Sequence, residues 1–333
     1  MYNILILGAG TWGTAIGNLL AKNGNNVTTW SRDLSQVEKI NKLHVHDKLT
    51  DVKIDEKILF TNELDSNVKK SDIIVFAVPS IAFREVAKKI IKNIDENKYL
   101  VSLTKGMENN TLFTMSEILE DELKLNGIKN DKIVVLSGPT HAEEVIKSFP
   151  SMIVSASKST KAACFIQDLF MNEFFRVYTN NDIKGVEICA AFKNVIAIAS
   201  GILEGLGYGD NVRAATITRG LAEMIRVGEV YRCKKDTFYG LAGIGDMIVT
   251  ATSTNSRNFN FGKLIGSGFK TNEALNKIGM VVEGYNFIDK AIKIKNDHKL
   301  DLPITEGIYN ILYKNEDPKS VLISLMTRNK KSE

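Results

Sequence analysis

A glycine-rich segment near the N-terminus, GAGTWG at residues 8–13, constrains the fold of this chain more than any other feature. The apolar run 4–7 directly precedes it and predicts a β-strand, and residues 14–23 predict a helix that stops at Gly24. Between a strand and a helix, the first glycine of G-x-G-x-x-G permits a tight turn, and the second lets the backbone approach a pyrophosphate. The third lets the helix pack on the strand, with its positive N-terminus towards the anion. Gly8, Gly10 and Gly13 therefore predict a dinucleotide-binding turn; the alternative is a turn that binds nothing.

Short apolar runs alternate with helix-like stretches through the first half of the chain. The runs are mostly continuous, as expected of strands that helices cover on both faces. This alternation is typical of an α/β domain with a mostly parallel sheet, and with the glycine turn it predicts a Rossmann-type domain. The predicted strands lie at residues 4–7, 27–30, 58–60, 73–78, 99–103, 133–136, 152–155 and 175–178.

The pattern changes after about residue 182, where long Ala-, Ile- and Leu-rich stretches predict only helices. We therefore expect a Rossmann domain over residues 1–180 and an all-helical domain over residues 181–333. Two domains also agree with the soft rule of one domain per 150 or so residues. The predicted helices lie at residues 182–201, 211–226, 234–250, 258–266, 271–278, 283–297 and 303–314.

Composition excludes several classes of protein. The 43 basic and 39 acidic residues are dispersed, so no nucleic-acid-binding stripe is indicated, while the formal charge of +4 suits a small anionic substrate. No uninterrupted apolar run reaches the roughly 18 residues of a membrane span, and the apolar start is too short for a signal-peptide core. Cys164, Cys189 and Cys233 are odd in number and lack metal-ligand spacing. We therefore expect a cytoplasmic protein without a metal site.

The residues after the second predicted strand bear on which dinucleotide binds. An acidic side chain there hydrogen-bonds the ribose 2′-hydroxyl of NAD, whereas an arginine accommodates the 2′-phosphate of NADP. The chain has both, Arg32 followed by Asp33. Either cofactor therefore fits, with a preference for NADPH over NADH, unless Arg32 is an ordinary solvated loop charge.

Lys193 is the most unusual residue of the second half. It lies with Asn194 inside an otherwise apolar stretch, residues 188–199, and a helix that is apolar all round is a buried helix. Lysine is almost never fully buried without a partner, and desolvation lowers the pKa of its ammonium group. Lys193 is thus a candidate general acid or base. The alternative is that its ammonium group extends to the surface at a helix edge.

Polar residues that follow two predicted strands are candidates for a substrate site. Lys105 comes just after strand 99–103, and Gly138 and Thr140 come just after strand 133–136. In open α/β sheets the carboxyl ends of the strands line the binding crevice, so these residues are expected near the glycine turn. A helix cap and an ordinary turn are the alternatives.

A third candidate segment lies in the helical half. Asp246 follows a run of small and apolar residues, and a dense polar stretch at residues 252–258 includes Ser256, Arg257 and Asn258. Hydroxyls, an amide and a guanidinium beside a helix N-terminus form a good phosphate receptor. The alternative is an ordinary capped loop, with Asp246 as a helix cap.

Six segments, in order, resemble the bacterial NAD(P)-dependent glycerol-3-phosphate dehydrogenases. They are GAGTWGTAI, SLTKGME, LSGPTHAEEV, CAAFKNVIAIASGI, GLAGIGDMIVTATSTNSRNFNFG and MVVEGYN, and they extend from Gly8 nearly to the C-terminus. The resemblance implies reversible reduction of dihydroxyacetone phosphate to sn-glycerol 3-phosphate, which feeds glycerophospholipid synthesis. It also implies a Rossmann domain followed by a helical domain like that of 6-phosphogluconate dehydrogenases. The apolar helices of the second half would suit a homodimer.

The resemblance also implies roles for single residues. Lys193 is similar to the family's proton donor and acceptor, Lys105 to a lysine that contacts substrate and cofactor, and Asp246 is expected to keep Lys193 protonated. The implied substrate-binding set is Lys105, Gly138, Thr140, Lys193, Asp246, Ser256, Arg257 and Asn258. The implied cofactor-binding set is Gly8, Gly10, Thr11, Trp12, Gly13, Arg32, Lys105, Ala142, Arg257, Val281 and Glu283.

Two positions depart from the family pattern. Thr11 stands where serine is common, which keeps a hydroxyl group and matters little. Asp33 replaces a frequent second basic residue, which argues against a strong preference for NADP.

Two other functions fit part of the sequence. A reductase of the same architecture that acts on a 2-keto or 3-hydroxy acid would use Arg257 to bind the substrate carboxylate. A catalytically silent cofactor sensor would need none of Lys105, Lys193 and Asp246, so their presence together favours an enzyme.

Overall fold

The chain divides into two units, Met1–Glu187 and Ile188–Glu333, in a computed structural model that describes residues 1–49, 52–330 and 332. This division falls a few residues after the position 180 at which the sequence pattern changes. Glu333, the last residue of the predicted second domain, lies outside the described residues.

One eight-stranded sheet forms the centre of the first unit. Its strands are β1 (Asn3–Leu7), β2 (Asn26–Trp30), β3 (Leu59–Thr61), β4 (Ile73–Phe76), β5 (Tyr99–Ser102), β6 (Ile133–Ser137), β7 (Ser151–Ala156) and β8 (Phe175–Asn180). They lie in the order β3-β2-β1-β4-β5-β6-β7-β8, and every neighbouring pair is parallel except β6 and β7. The predicted mostly parallel, Rossmann-type sheet is therefore confirmed, and each predicted strand corresponds to one of these eight.

Helices connect the strands of this sheet. They are α1 (Thr11–Lys22), α2 (Leu34–Leu43), α3 (Asp65–Lys70), α4 (Phe83–Ile90), α5 (Met115–Leu125), α6 (Ala142–Val145) and α7 (Thr160–Phe170), with short 3₁₀ turns at Ser80–Ala82 and Ile91–Asn93. Every residue of β4 and β6 is buried. This burial explains why the central strands are continuous apolar runs, since helices cover both faces of a parallel sheet.

The described part of the second unit is helical throughout, as the sequence predicts. After α8 (Ile183–Gly205), in which the division between the units falls, come α9 (Asp210–Val230), α10 (Lys235–Tyr239), α11 (Asp246–Thr252), α12 (Arg257–Gly266), α13 (Thr271–Ile278), α14 (Glu283–Asp297), α15 (Pro303–Lys314) and α16 (Pro318–Met326).

Glycines bring α8 and α12 into close contact. A Cβ atom on Gly201 of α8 would lie 2.0 Å from the Phe259 carbonyl oxygen. A Cβ atom on Gly262 of α12 would lie 2.1 Å from the Ile198 carbonyl oxygen. Small residues at both positions therefore let the two backbones approach, and this approach sets the first turn of α12 against the middle of α8.

Two helix predictions need correction. The helix predicted at residues 234–250 is broken into α10, a π-helical turn at Leu241–Gly245, and α11. The backbone becomes extended at Gly240, with φ −86° and ψ −172°, and α10 ends there. Within the turn, a Cβ atom on Gly243 would lie 2.1 Å from the Phe238 carbonyl oxygen. The sequence prediction also ended before α16, in which only Val321 is buried.

Among the described residues, α8 is long and apolar enough to cross a membrane by length and composition alone. It is not an uninterrupted apolar run, because polar residues, Lys193 among them, lie within it. Its most apolar 18 residues are all buried inside the structure, which is the property of a core helix.

Candidate active site

The glycine turn between β1 and α1 has the shape that a dinucleotide pyrophosphate requires. Gly8 adopts φ +117°, and a Cβ atom there would lie 2.7 Å from the Ala77 carbonyl oxygen. A Cβ atom on Gly13 would lie 2.1 Å from the Gly8 carbonyl oxygen, so both positions require glycine. At Gly10, by contrast, a Cβ atom would meet no atom within 4 Å. The open backbone at Gly10, before the N-terminus of α1, fits a pyrophosphate group.

The other predicted residues of the first unit follow the carboxyl ends of parallel strands. Arg32 follows β2, Lys105 follows β5, and Gly138 follows β6. The Thr140 hydroxyl donates a hydrogen bond to the Gly138 carbonyl oxygen at 3.2 Å, and Ala142 begins α6. Because the carboxyl ends of parallel strands share one edge of a sheet, these residues lie at the same edge as the glycine turn. Thr11 and Trp12, in the first turn of α1, are half-buried there.

An ion-pair network holds the loop that contains Lys105. The Arg84 guanidinium donates to the Glu108 carboxylate through Nε and Nη2, the latter at 2.8 Å. Its Nη1 donates to Asp121 and, at 2.7 Å, to the buried Glu122, both on α5. Arg84 lowers the pKa of Glu108, so the pair stays ionised. A planar guanidinium bound by two oxygens of one carboxylate fixes direction as well as distance, which anchors the loop just beyond Lys105.

The structure gives Asp33 a role that the sequence left open. Its Oδ1 accepts hydrogen bonds from the Ser35 N–H at 3.0 Å, the Ser35 hydroxyl at 2.7 Å and the Gln36 N–H at 3.2 Å. Asp33 is thus the N-cap of α2, and these hydrogen bonds lower the pKa of its carboxyl group. Arg32, directly before it, is exposed.

The second unit contains the buried lysine. Lys193 is only 5% exposed, and its Nζ donates to the carboxylate of Asp246 and, at 2.8 Å, to the hydroxyl of Thr250. Asp246 is 1% exposed. The predicted burial of Lys193 is therefore confirmed, and the alternative of a surface ammonium group is excluded. A buried ammonium group is retained because a carboxylate partner and a hydroxyl compensate for the lost hydration.

A chain of hydrogen bonds joins three helices beside this pair. The Asn194 Oδ1 accepts from the Asn258 Nδ2 at 2.9 Å, and the Asn258 Oδ1 accepts from the Gly284 N–H at 2.9 Å. The Ser256 hydroxyl caps α12 by accepting from the Phe259 N–H at 3.2 Å. The predicted helix N-terminus in the polar stretch is thus confirmed, at Arg257.

The predicted residues of the second unit therefore lie at the N-termini of α11, α12 and α14 and in the middle of α8. Arg257 is the first residue of α12 and is exposed, while Glu283 is the first residue of α14 and Val281 comes two residues before it. Sequence reasoning did not assign Asn194 or Thr250 to the site. Thr250 lies one helical turn after Asp246, a spacing that places two side chains on one face of α11 and was the signal available.

Two family models and several full-length relatives match this chain. The family model described as the N-terminus of NAD-dependent glycerol-3-phosphate dehydrogenase matches residues 3–163, and that of the C-terminus matches residues 182–323. The chain is 47% identical to a glycerol-3-phosphate dehydrogenase (NAD(P)+) of Thermoanaerobacter sp. strain X514, over 99% of this chain and 98% of that protein. It is 44% identical to the Bacillus subtilis strain 168 protein of the same name, over 100% and 96%.

Solved structures also match nearly the whole chain. The crystal structure of glycerol-3-phosphate dehydrogenase from Coxiella burnetii superposes with a TM-score of 0.93 at 34% identity, covering 98% of this chain and 99% of that one. A D-mandelate dehydrogenase structure has a TM-score of 0.65 at 14% identity, which shows a shared fold alone. With both family models matched and full-length relatives above 40% identity, the chain belongs to the NAD-dependent glycerol-3-phosphate dehydrogenase family.

Proposed function

We propose that this chain catalyses the reversible, NAD(P)H-dependent reduction of dihydroxyacetone phosphate to sn-glycerol 3-phosphate, an oxidoreductase reaction that supplies glycerophospholipid synthesis. The observation that carries the proposal is the buried Lys193–Asp246 pair, in a chain that also has a glycine turn open at Gly10. A binding protein gains nothing from an ammonium group in this setting, whereas a ketone reductase needs a proton donor.

Lys193 is the proposed proton donor. When bound, the reduced nicotinamide supplies a hydride to the ketone carbon, and the carbonyl oxygen then needs a proton. The Lys193 ammonium gives this proton to the oxygen in reduction, and the neutral amine takes it back from the alcohol in oxidation. Asp246 and Thr250 orient the amine, and Asp246 favours its charged form.

The remaining predicted residues bind the two ligands. Lys105 stabilises negative charge on the substrate oxygen and contacts the cofactor; Gly138, Thr140, Ser256, Arg257 and Asn258 complete the substrate site. The Arg257 guanidinium and the N-terminus of α12 suit the phosphate group. We assign the cofactor to Gly8, Gly10, Thr11, Trp12, Gly13, Arg32 and Ala142, with contacts from Arg257, Val281 and Glu283.

The proposal extends to organisation and location. Residues 1–180 form the dinucleotide-binding domain, and residues 181–333 form the helical substrate domain. Three cysteines without a disulfide fit the reducing cytoplasm. A homodimer stays a prediction based on the apolar helices of the second half.

One assay tests the activity. Purified protein is expected to oxidise NADPH and NADH when dihydroxyacetone phosphate is added, and to form sn-glycerol 3-phosphate in equal amount. Dihydroxyacetone and a 2-keto acid serve as controls, and both should react far more slowly. Faster turnover of the 2-keto acid would instead support the related reductase function, and tight NADH binding without turnover of phosphorylated ketones would support a sensor.

The cap formed by Asp33 leads to a prediction about cofactor choice. Arg32→Ala is expected to lower the preference for NADPH over NADH about ten-fold, because a charge-assisted hydrogen bond to phosphate contributes about 1.5 kcal/mol or more. Asp33→Ser retains a side-chain cap for α2 but removes the charge, and should raise the preference for NADPH by no more than about three-fold. The measurement is the ratio of kcat/KM for the two cofactors. A larger change with Asp33→Ser than with Arg32→Ala would contradict the assignment.

A further inference from the structure

Two side chains from outside the glycine turn hold one of its carbonyl groups. The Gln36 Nε2 of α2 donates to the Ala9 carbonyl oxygen at 2.9 Å, and the His46 Nε2 lies 3.2 Å from the same oxygen. Ala9 is 4% exposed and His46 is 5% exposed, so the His46 contact is shielded from water, while Gln36 is half-buried. A carbonyl oxygen with two donors has both of its lone pairs engaged, which fixes the plane of its peptide.

The protonation state of His46 follows from its second nitrogen. The Nδ1 accepts a hydrogen bond from the Lys48 N–H at 3.1 Å, so the ring proton is on Nε2, and Nε2–H donates to Ala9. Burial lowers the pKa of His46, which keeps the ring neutral. His46 therefore makes one contact to its own loop and one to the glycine turn, and the two contacts use different atoms.

The Ala9 carbonyl controls the direction of the next N–H group. No described peptide bond is cis, and in a trans peptide the N–H points opposite to the carbonyl. Holding the Ala9 carbonyl towards His46 and Gln36 therefore directs the Gly10 N–H away from them. Gly10 is exposed and is the open position of the turn, whereas Ala9 is buried.

We propose that His46 and Gln36 are positioning residues for cofactor binding, which aim the Gly10 N–H at the pyrophosphate by holding the Ala9 carbonyl from behind. The inference rests on the proposed function, because it needs the glycine turn to bind a dinucleotide. Neither side chain contacts the cofactor in this arrangement. Their effect is pre-organisation of a backbone donor, which strengthens binding by removing the cost of orienting it.

The loop that carries His46 has other attachments to the domain. The Asp55 N–H donates to the Asn18 Oδ1 of α1 at 2.9 Å, and the Ile54 N–H donates to the His44 carbonyl oxygen at 2.8 Å. The side chains of Leu49, Ile54 and Ile58 are buried. Loss of the His46–Ala9 contact alone should therefore leave the loop in place, and a change in cofactor binding can be attributed to the turn.

Two substitutions of His46 separate its two contacts. His46→Gln places an amide nitrogen at the same number of bonds from Cα as Nε2 and keeps the donor to Ala9. His46→Asn keeps an acceptor for the Lys48 N–H, but its amide ends one bond short of Nε2. We expect His46→Asn to raise the Kd for NADPH about three- to ten-fold, as for loss of one hydrogen bond, and His46→Gln to stay within two-fold of wild type.

Calorimetric titration with NADPH measures these Kd values, and the KM for dihydroxyacetone phosphate at saturating NADPH provides the contrast. That KM and kcat should change less than two-fold in either variant. Equal affinities for wild type and His46→Asn, or equal losses in both variants, would overturn the inference. Wild-type protein that binds NADPH but does not turn over the phosphorylated ketone would instead refute the proposed function, and the affinities of the variants would still decide the role of His46.

Discussion

Lys193→Met is expected to lower kcat for dihydroxyacetone phosphate by about three orders of magnitude or more, while the Kd for NADPH changes less than about three-fold. General acid catalysis contributes typically about 10²–10⁴ in rate, and methionine fills a similar volume without a proton to give. The cofactor residues proposed in the first unit keep their own contacts. Steady-state turnover and calorimetric NADPH binding on the same preparation measure the two effects.

The fold of this variant needs a control, because Lys193 and Asp246 are both buried. Removing the lysine alone takes the ammonium partner away from the buried Asp246 carboxylate, and breaking a buried ion pair in this way costs about 3–5 kcal/mol of folding free energy. Lys193→Met with Asp246→Asn contains no isolated buried charge and should unfold near the wild-type temperature. The informative comparison is this double variant against Asp246→Asn alone. Equal turnover in the two proteins would show that Lys193 does not transfer the proton.

The sequence predicted the sheet better than the helices, and the reason is physical. Each strand of a parallel sheet is buried on both faces, so it appears as an apolar run bounded by polar turns, and β4 and β6 show this plainly. The break between α10 and α11 instead involves Gly240, where the backbone becomes extended, and Gly243, which packs closely against the Phe238 backbone. Glycine frequency alone does not distinguish such a contact from a tolerated glycine inside one long helix.

In the candidate site, too, the sequence identified some residues and could not identify others. Lys193 was recognisable because a lysine inside an apolar helix requires a partner. Asp246, a carboxylate that follows small and apolar residues, was the candidate for that partner. That Thr250 would share the ammonium group, or that Asn258 would bridge Asn194 and Gly284, depends on where α11, α12 and α14 pack against α8. The contact of His46 could not be predicted from the sequence, because its partner is a backbone carbonyl that any residue could supply.

Arg257→Ala is expected to raise the KM for dihydroxyacetone phosphate about ten- to a hundred-fold, with a several-fold smaller effect on the Kd for NADPH. Arg257 is the first residue of α12 and follows the N-cap residue Ser256. The N-terminus of a helix also favours an anion. Loss of a hydrogen bond between charged groups costs about 1.5–3 kcal/mol, which corresponds to this range of affinities. Arg328→Ala, which removes another exposed arginine of the same unit, is the control for net charge.

Unphosphorylated dihydroxyacetone separates phosphate recognition from a general loss of activity. If Arg257 binds the phosphate, its removal should leave the low kcat/KM for dihydroxyacetone nearly unchanged. The ratio of kcat/KM between the phosphorylated and unphosphorylated ketones should then fall by the same factor by which the KM for dihydroxyacetone phosphate rises. If Arg257 instead supports the fold of α12, both ketones and NADPH should lose activity or affinity together. A parallel loss would contradict the role, and a selective one would place the phosphate at the start of α12, within the same helical unit as the proton donor.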